Sequence, residues 1–473
     1  MKIKLLSVRT HERRVRLRFP FRFGVVSLEQ APQIFIEARV RAEDGSEGLG
    51  MSAEMLVPKW FDKDPELSNE ENFNYLRESL RMISGQYLSQ SDFKPTFELS
   101  IENYRKQIES GALVGMNPLV ASFGPALLDR AILDGLCRIE GVSFWEAIRG
   151  NLPGFCFHPV LADLEGWDWN TFLGHLHPLE EIYARHTVGL DDPITESDLK
   201  TGNRRNDGLP ETLEEVISTY GNRYFKIKVC GDLDKDLARL EKISRILDRY
   251  PGCRITLDGN EQFKEMDQVF EFSEEIQKRS SLRRFWEGVA FLEQPLHRNK
   301  AFDNPIDRKR LGRAVIIDES DQEFSSFPEA REAGYSGVSS KSCKGFYKSL
   351  INLARCQAWN ETAGAETFFM SGEDLTTQPG LATQQDLALV AILGINHVER
   401  NGHHYVYGFA DTTQEEQENF LKGHPSLYTD LKGPIRLKIR EGLLDLRSLG
   451  GIGFASNVFP YIGSKNSDME LSR

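Results

Sequence analysis

Phe225-Lys226-Ile227-Lys228-Val229 and Ile255-Thr256-Leu257-Asp258 are the stretches from which the fold is read. Both are short apolar runs rich in β-branched or aromatic residues, and both carry ionisable side chains at or near their ends. Between them Leu233, Leu237, Leu240, Ile243 and Leu247 keep helical spacing over residues 232–250, and Pro251-Gly252 stops that helix. The unit then recurs as Val289-Ala290-Phe291-Leu292-Glu293, Val315-Ile316-Ile317-Asp318 and Val338-Ser339-Ser340-Lys341. From Lys228 onward, the strand-end residues lie 30, 35, 25 and 23 positions apart, enough for a strand, a helix and two loops. The repeat predicts an α/β fold with a closed parallel barrel. An open doubly wound sheet is the competitor, but no glycine-rich phosphate loop follows a first strand.

The flanking segments differ in character. Ile34–Val40 reads as a strand, followed by the turn Glu43-Asp44-Gly45-Ser46 and a second strand. Residues 62–110 are polar and helix-prone without a strong apolar face, and are expected to be a surface insertion. Leu127, Leu128, Ala131, Ile132 and Leu136 form one helical stripe that Gly141 ends. Residues 151–180 read as a second insertion or linker. Near the end, Pro434–Ile439 and Leu443–Leu446 flank Arg440-Glu441-Gly442 as a hairpin. This tail, residues 406–473, is expected to fold back onto the N-terminal part.

The chain has 473 residues, 40% apolar, with 71 acidic against 58 basic side chains and a net charge of −13. That acidity argues against a phosphate-backbone partner, since no basic excess is available to displace counterions. Apolar stretches fall short of the roughly 20 residues of a membrane span, and the first ten residues alternate like a strand rather than a signal peptide. Six cysteines, with no C-x-x-C pair among them, fit a reducing cytoplasm better than a disulfide framework.

Asp258, Glu293 and Asp318 each close an apolar run, and in a parallel barrel the C-terminal strand ends carry the active site. Three carboxylates brought together repel unless a cation joins them, and a hard ion such as Mg²⁺ takes oxygen ligands. The alternative is that each acid caps the next helix or sits solvated on the rim. Lys226 and Lys228 share one strand face, so both point at that site if their face is the interior. Crowding among these cations would lower a lysine pKa and let it act as a base.

Taken together, Lys226-Ile227-Lys228, Leu257-Asp258-Gly259-Asn260, Leu292-Glu293-Gln294-Pro295, Asp318-Glu319-Ser320 and Ser340-Lys341-Ser342-Cys343-Lys344-Gly345 resemble the enolase superfamily. The likeness is to its muconate lactonizing enzyme-like branch, within the mandelate racemase/muconate lactonizing enzyme family. It runs from about residue 182 to 405, and more weakly through Glu47-Gly48-Leu49-Gly50 and the helix around Asp134. It implies a modified TIM barrel, (β/α)7β, over 181–405 and an α+β capping domain over 1–150 that the C-terminal tail completes. It further implies Mg²⁺ on Asp258, Glu293 and Asp318, with Lys228 and Lys341 on opposite faces of the substrate. One lysine would remove the proton α to a carboxylate, and the metal with Lys226 would stabilise the enediolate.

The implied reaction is racemisation or epimerisation of an amino-acid derivative or dipeptide. Cycloisomerisation, dehydration by β-elimination and a non-catalytic binding scaffold are the alternatives. The implied partner is a small-molecule carboxylate, with neither nucleic acid nor membrane, and a cytoplasmic homo-oligomer is expected. The sixth barrel strand departs from the branch pattern, reading Ser339-Ser340-Lys341, which makes Lys344 a rival base. Glu373 or Asp374, after Phe369-Met370-Ser371-Gly372, could recognise a cationic substrate group or simply begin a helix. Arg22 and Phe21 sit in one expected capping loop, Trp60 and Phe61 in a second. Arg22 would meet a carboxylate while Phe21 or Phe23 excludes water. His403 and His404 could line the pocket, though packing is the plainer reading.

Overall fold

Eight parallel strands close into a ring that accounts for the predicted repeat. The structure, a computed structural model, describes residues 1–23, 26–199, 204–431, 433–461 and 469–472, without the side chains of residues 22, 23 and 26. The barrel strands are β4 (Glu181–Val188), β5 (Tyr224–Lys228), β6 (Arg254–Asp258), β7 (Val289–Glu293), β8 (Ala314–Ile317), β9 (Gly337–Ser340), β10 (Phe369–Gly372) and β11 (His397–Arg400). Each pairs with the next in parallel, and β11 returns to β4 through His397 opposite Tyr183. The mixed α/β architecture, with this closed barrel and an antiparallel N-terminal sheet, is a modified TIM barrel with a capping domain. Helices cover the outside. Leu233–Leu247 begins at Asp232, whose carboxylate accepts from the Lys235 amide at 3.2 Å, and ends three residues before Tyr250.

The cap is built on β1 (Lys2–Phe23), β2 (Val26–Ala42) and β3 (Glu47–Met55), paired antiparallel in that order. The β2–β3 turn closes where Asp44 accepts from the Ser46 amide at 2.9 Å. Against this sheet lies α3 (Pro118–Glu140), carrying the predicted stripe and ending at Gly141 with φ 69°. The close approach explains the glycines of β3. A Cβ on Gly50 would stand 2.0 Å from the carbonyl oxygen of Ala131, so a larger residue would push the strand off the helix.

Residues 62–110 contain α1 (Asn69–Leu88) and α2 (Thr96–Ala112). They differ from the expectation of a weakly patterned surface piece: Phe73, Leu76, Leu80, Ile83, Phe97 and Ile101 are buried beneath them. Polar residues interleave with these, and some are buried too, as Asn103 and Gln107 are, which blurs the helical stripe in the sequence. The tail also differs in detail. Arg440 and Leu443 do meet across a tight turn, but Leu443–Asp445 pairs with barrel strand β4 instead of Pro434–Ile439. The last strand, Met469–Ser472, pairs with β1 and so returns to the cap sheet. Among the described residues no helix is long and apolar enough to cross a membrane.

Inside the cap, Asp129 is buried and accepts hydrogen bonds from the Tyr87 hydroxyl at 2.9 Å and the Ser100 hydroxyl at 2.6 Å. Burial pushes its carboxyl up to about 7, more than the two donors lower it. The folded chain therefore holds this proton more tightly than the unfolded chain. The resulting stability is full below about pH 4 and is lost as pH rises through about 7. Urea titrations at pH 4.5, 6 and 8 should show wild type losing stability relative to Asp129→Asn at up to roughly 1.4 kcal/mol per pH unit. A constant difference across that window would remove Asp129 as the cause.

Candidate active site

Register assembles the charged side chains. Lys228 lies opposite Asp258, and Asp258 opposite Glu293, so three neighbouring strands end level with one another. The Gln294 side chain extends the series, because its Oε1 accepts from the backbone amides of Asp318 at 2.8 Å and Ser320 at 3.0 Å. Alternation turns Lys226 and Lys228 inward, the first of the two dispositions the sequence left open, while Phe225 and Ile227 pack outward.

Lys226 is buried among four carboxylates. Its Nζ is 2.9 Å from Asp258 Oδ2 and donates to Glu293 Oε1 at 2.8 Å, Glu373 Oε2 at 2.8 Å and Glu399 Oε2 at 3.0 Å. Lys228 donates to Asp258 Oδ2 and Asn260 Oδ1, both at 2.5 Å. Lys341 is paired with Asp318, and its ammonium stands 4.2 Å from the centre of the Trp60 ring.

For Lys226 the expectation that crowding among cations depresses the ammonium is corrected here. Burial alone would lower Lys226 and Lys341, but the facing carboxylates outweigh it and hold both ammonium groups well above their usual range. The acids diverge correspondingly. Burial and the neighbouring Asp258 and Glu373 push Glu293 up, whereas Lys226 and Lys228 overcome the effect of burial on Asp258 and hold it low.

The three lysines line one cavity with Asp258 and Asp318, while Glu293 is not part of its lining. Its apolar side is Phe21, Val57 and Trp60 from the cap with Leu375 from the barrel; Lys226, Lys228, Lys341, Asp258 and Asp318 form the charged side. Phe21 also packs on Tyr405, ring centres 4.5 Å apart. The side chains of Arg22 and Phe23 lie outside the described residues. Phe61 turns away, stacking edge-on against Phe123 in the cap core. Asp374 reaches the cavity, while Glu373 is fully buried behind it between Lys226 and Arg185. Lys344 does not line the cavity; it sits behind Asp318, 3.0 Å from Asp321 Oδ2 and donating to Ser339 Oγ at 2.8 Å. His403 and His404 pack with His186 beside the cavity, kept neutral by burial.

Among the described residues, no three carboxylate, imidazole or thiol groups surround one point in a way that could hold a metal ion, because the carboxylates turn toward the lysines. The donor set nevertheless suits a hard cation. Asp258, Glu293 and Asp318 offer only oxygen, and Glu293 Oε2 is buried with no hydrogen-bond partner.

Glu399 is absent from the sequence reading. It accepts from Lys226, from Thr187 Oγ1 at 2.7 Å and from Asn401 Nδ2 at 3.0 Å. Its signal was present, since Val398-Glu399 places a carboxylate next to the end of the last barrel strand, much as Leu292-Glu293 ends an earlier one. Arg298 was also unread. It pairs with Glu261 and donates to the backbone oxygens of Trp60 and Phe61, both at 2.9 Å, tying the capping loop to the barrel.

No protein-family model matches this sequence, and no curated protein matches it. Solved structures do match over nearly the whole chain. An enolase-superfamily member from Roseovarius nubinhibens ISM, complexed with magnesium, is 16% identical with a TM-score of 0.60, covering 100% of both chains. A dipeptide epimerase from Enterococcus faecalis V583, complexed with Mg and L-Leu-L-Tyr, is 15% identical with a TM-score of 0.60, covering 96% of this chain and 99% of that one. The L-Ala-D/L-Glu epimerase of Bacillus subtilis is 15% identical with a TM-score of 0.56, covering 96% and 100%. The chain has the fold of the enolase superfamily.

Removing Lys226 leaves four buried carboxylates without their shared cation. In metal-free buffer, Lys226→Met should cost about 3–5 kcal/mol in urea denaturation. Adding Glu399→Gln should return part of that loss, because one repelling charge goes with it. Additive losses in the double variant would mean that the two side chains do not interact.

Proposed function

We propose that the chain is an Mg²⁺-dependent racemase or epimerase that takes the proton α to a carboxylate from one face of its substrate and returns one to the other. The reading is carried by one observation: Lys228 and Lys341 enter the same cavity from the second and sixth strands of an eight-stranded ring. Strands four places apart in such a ring stand on opposite sides, the disposition a two-base transfer needs. Asp258, Glu293 and Asp318 would hold the metal. When bound, Mg²⁺ would neutralise these carboxylates and draw electron density from the substrate carboxylate.

The side chains divide the remaining work. A lysine relieved of its carboxylate partner can give up its proton, and as a neutral amine it accepts the α proton from substrate. The C–H electron pair moves into the substrate carboxylate, where Lys226 opposes the growing negative charge. The ammonium of the other lysine then delivers its proton to the opposite face. Phe21 and Trp60 keep water from the carbanionic centre. Asp374, held by Arg400 and the Asn401 amide at the cavity wall, is the acid that a cationic group on the substrate would reach; Glu373 lies behind it between Lys226 and Arg185. An amino-acid derivative or dipeptide supplies both a carboxylate and such a group, and two epimerases are among the structural neighbours.

Proton NMR in D₂O on a pool of dipeptides and N-acyl amino acids tests the reading. Mg²⁺-dependent deuterium uptake at the α carbon is expected, falling at least about a hundredfold in Lys228→Ala and in Lys341→Ala for the epimer that each serves. Uptake that persists in both variants would exclude these lysines as the bases. Magnesium binding by calorimetry should vanish in Asp258→Ala, and unchanged binding there would move the metal elsewhere.

A further inference from the structure

One buried network reaches Lys341 from the capping domain, and its Glu54, Arg130 and Ser342 have no part in the reaction as described. Glu54, on β3, is 1% exposed. Its Oε2 accepts from Arg130 Nη2 of α3 at 2.9 Å and from the hydroxyl of Ser342 at 3.2 Å. Ser342 is the residue after Lys341, and its backbone amide donates to Asp386 Oδ1 at 3.1 Å. Asp386 in turn accepts from Arg400 Nη2 at 2.6 Å, and the same nitrogen lies 3.2 Å from Asp374 Oδ1. Each of these side chains is more than nine-tenths buried. Around Ser342, then, one hydrogen bond comes from the cap and one from the barrel.

The arrangement is costly unless it fixes something. An ion pair out of water is no better for stability than apolar packing, and it is best justified where a unique geometry is required. The segment between them needs such help: Ser339-Ser340-Lys341-Ser342 is short and polar, and the strand ends at Ser340. Lys341 therefore projects from a residue just beyond the sheet ladder, where backbone pairing no longer sets its direction.

We infer that Glu54 is a positioning residue: held by Arg130, it clamps Ser342 and so aims Lys341 into the cavity, making the capping domain a structural part of one proton-transfer face. The inference rests on the two-lysine reading above. It requires that the Glu54 clamp act on one face of the substrate and not on the other, because Lys228 ends β5 and donates to Asp258 and Asn260, whereas Glu54 bonds Ser342 beside Lys341.

The test measures α-deuterium uptake separately from each pure epimer of a substrate found in the pool. Lys341→Ala first identifies the epimer whose exchange depends on Lys341. In Glu54→Gln and in Ser342→Ala, exchange of that epimer should fall roughly ten- to hundredfold, as expected for a slightly misplaced base. Exchange of the other epimer should stay within about threefold, and Glu54→Asp should recover part of the loss. Ser342→Ala leaves both buried charges in place, so it remains informative if Glu54→Gln folds poorly. A parallel loss for both epimers would reduce Glu54 to a general stabiliser, and no loss for either would end the proposal. Absence of exchange in wild type for both epimers would overturn the reaction instead. Hydrogen–deuterium exchange of the backbone amides over residues 340–346 would then decide the clamp, with faster exchange in Glu54→Gln expected and unchanged exchange refuting it.

Discussion

The ammonium of Lys226 is the interaction on which the barrel mouth depends. Four strands deliver carboxylates to one buried point: Asp258 from β6, Glu293 from β7, Glu373 after β10 and Glu399 from β11. Without a cation among them their mutual repulsion and desolvation would oppose closure of the ring. Lys226 sits where it can bond all four, 2.8–3.0 Å away. The same concentration of acid that must be neutralised for folding is what a hard divalent cation would bind. On the proposed reading, stability without metal and affinity for it would draw on overlapping groups, and the lysines and the metal would compete for the same oxygens.

That competition links the static structure to the proposed chemistry. Here Lys341 is held in its charged form by Asp318, and the Trp60 ring covers it. A base must be neutral before it takes a proton, so on the proposed reading Asp318 would have to be occupied elsewhere for Lys341 to act. The cap participates through two further tethers. Arg298 holds the backbone of Trp60 and Phe61 against Glu261. On the other side, buried Arg18 pairs with Asp207 at 2.6 Å and donates to the Pro210 carbonyl at 2.9 Å, three residues before Phe21. Both apolar walls of the cavity are fixed to barrel loops by arginines, so the pocket is preorganised.

Much of this was legible in sequence because barrel strands impose register. Once Lys228, Asp258, Glu293 and Asp318 are placed at strand ends, parallel pairing brings them together whatever the loops contain. Lys226 is inward for the same reason. What sequence could not give was the sign of the lysine shifts. Reading Lys226 as one of a crowded pair counts only the charges on one strand, whereas the carboxylates that reverse the effect on it come from as far as 173 residues away. The buried faces of α1 and α2 were hidden by polar residues that are themselves buried, and the final pairing of Leu443–Asp445 by a turn that fits a hairpin equally well.

Glu54 illustrates the remaining gap. In the sequence it is one acid on an alternating strand, indistinguishable from solvent-facing neighbours, and Ser342 is a small polar residue beside a lysine. They lie 288 positions apart, and only the packing of α3 between sheet and barrel brings them together. The glycines of β3 are what permit that packing, since a side chain at Gly50 would push α3 and its Arg130 away. Gly48 and Gly50 were legible as part of a resemblance, but their physical reason is the closeness of a helix that carries Arg130 to Glu54. A pattern first met as a family signature in the cap is thereby connected, through backbone approach and one buried ion pair, to the lysine at the opposite end of the chain's chemistry.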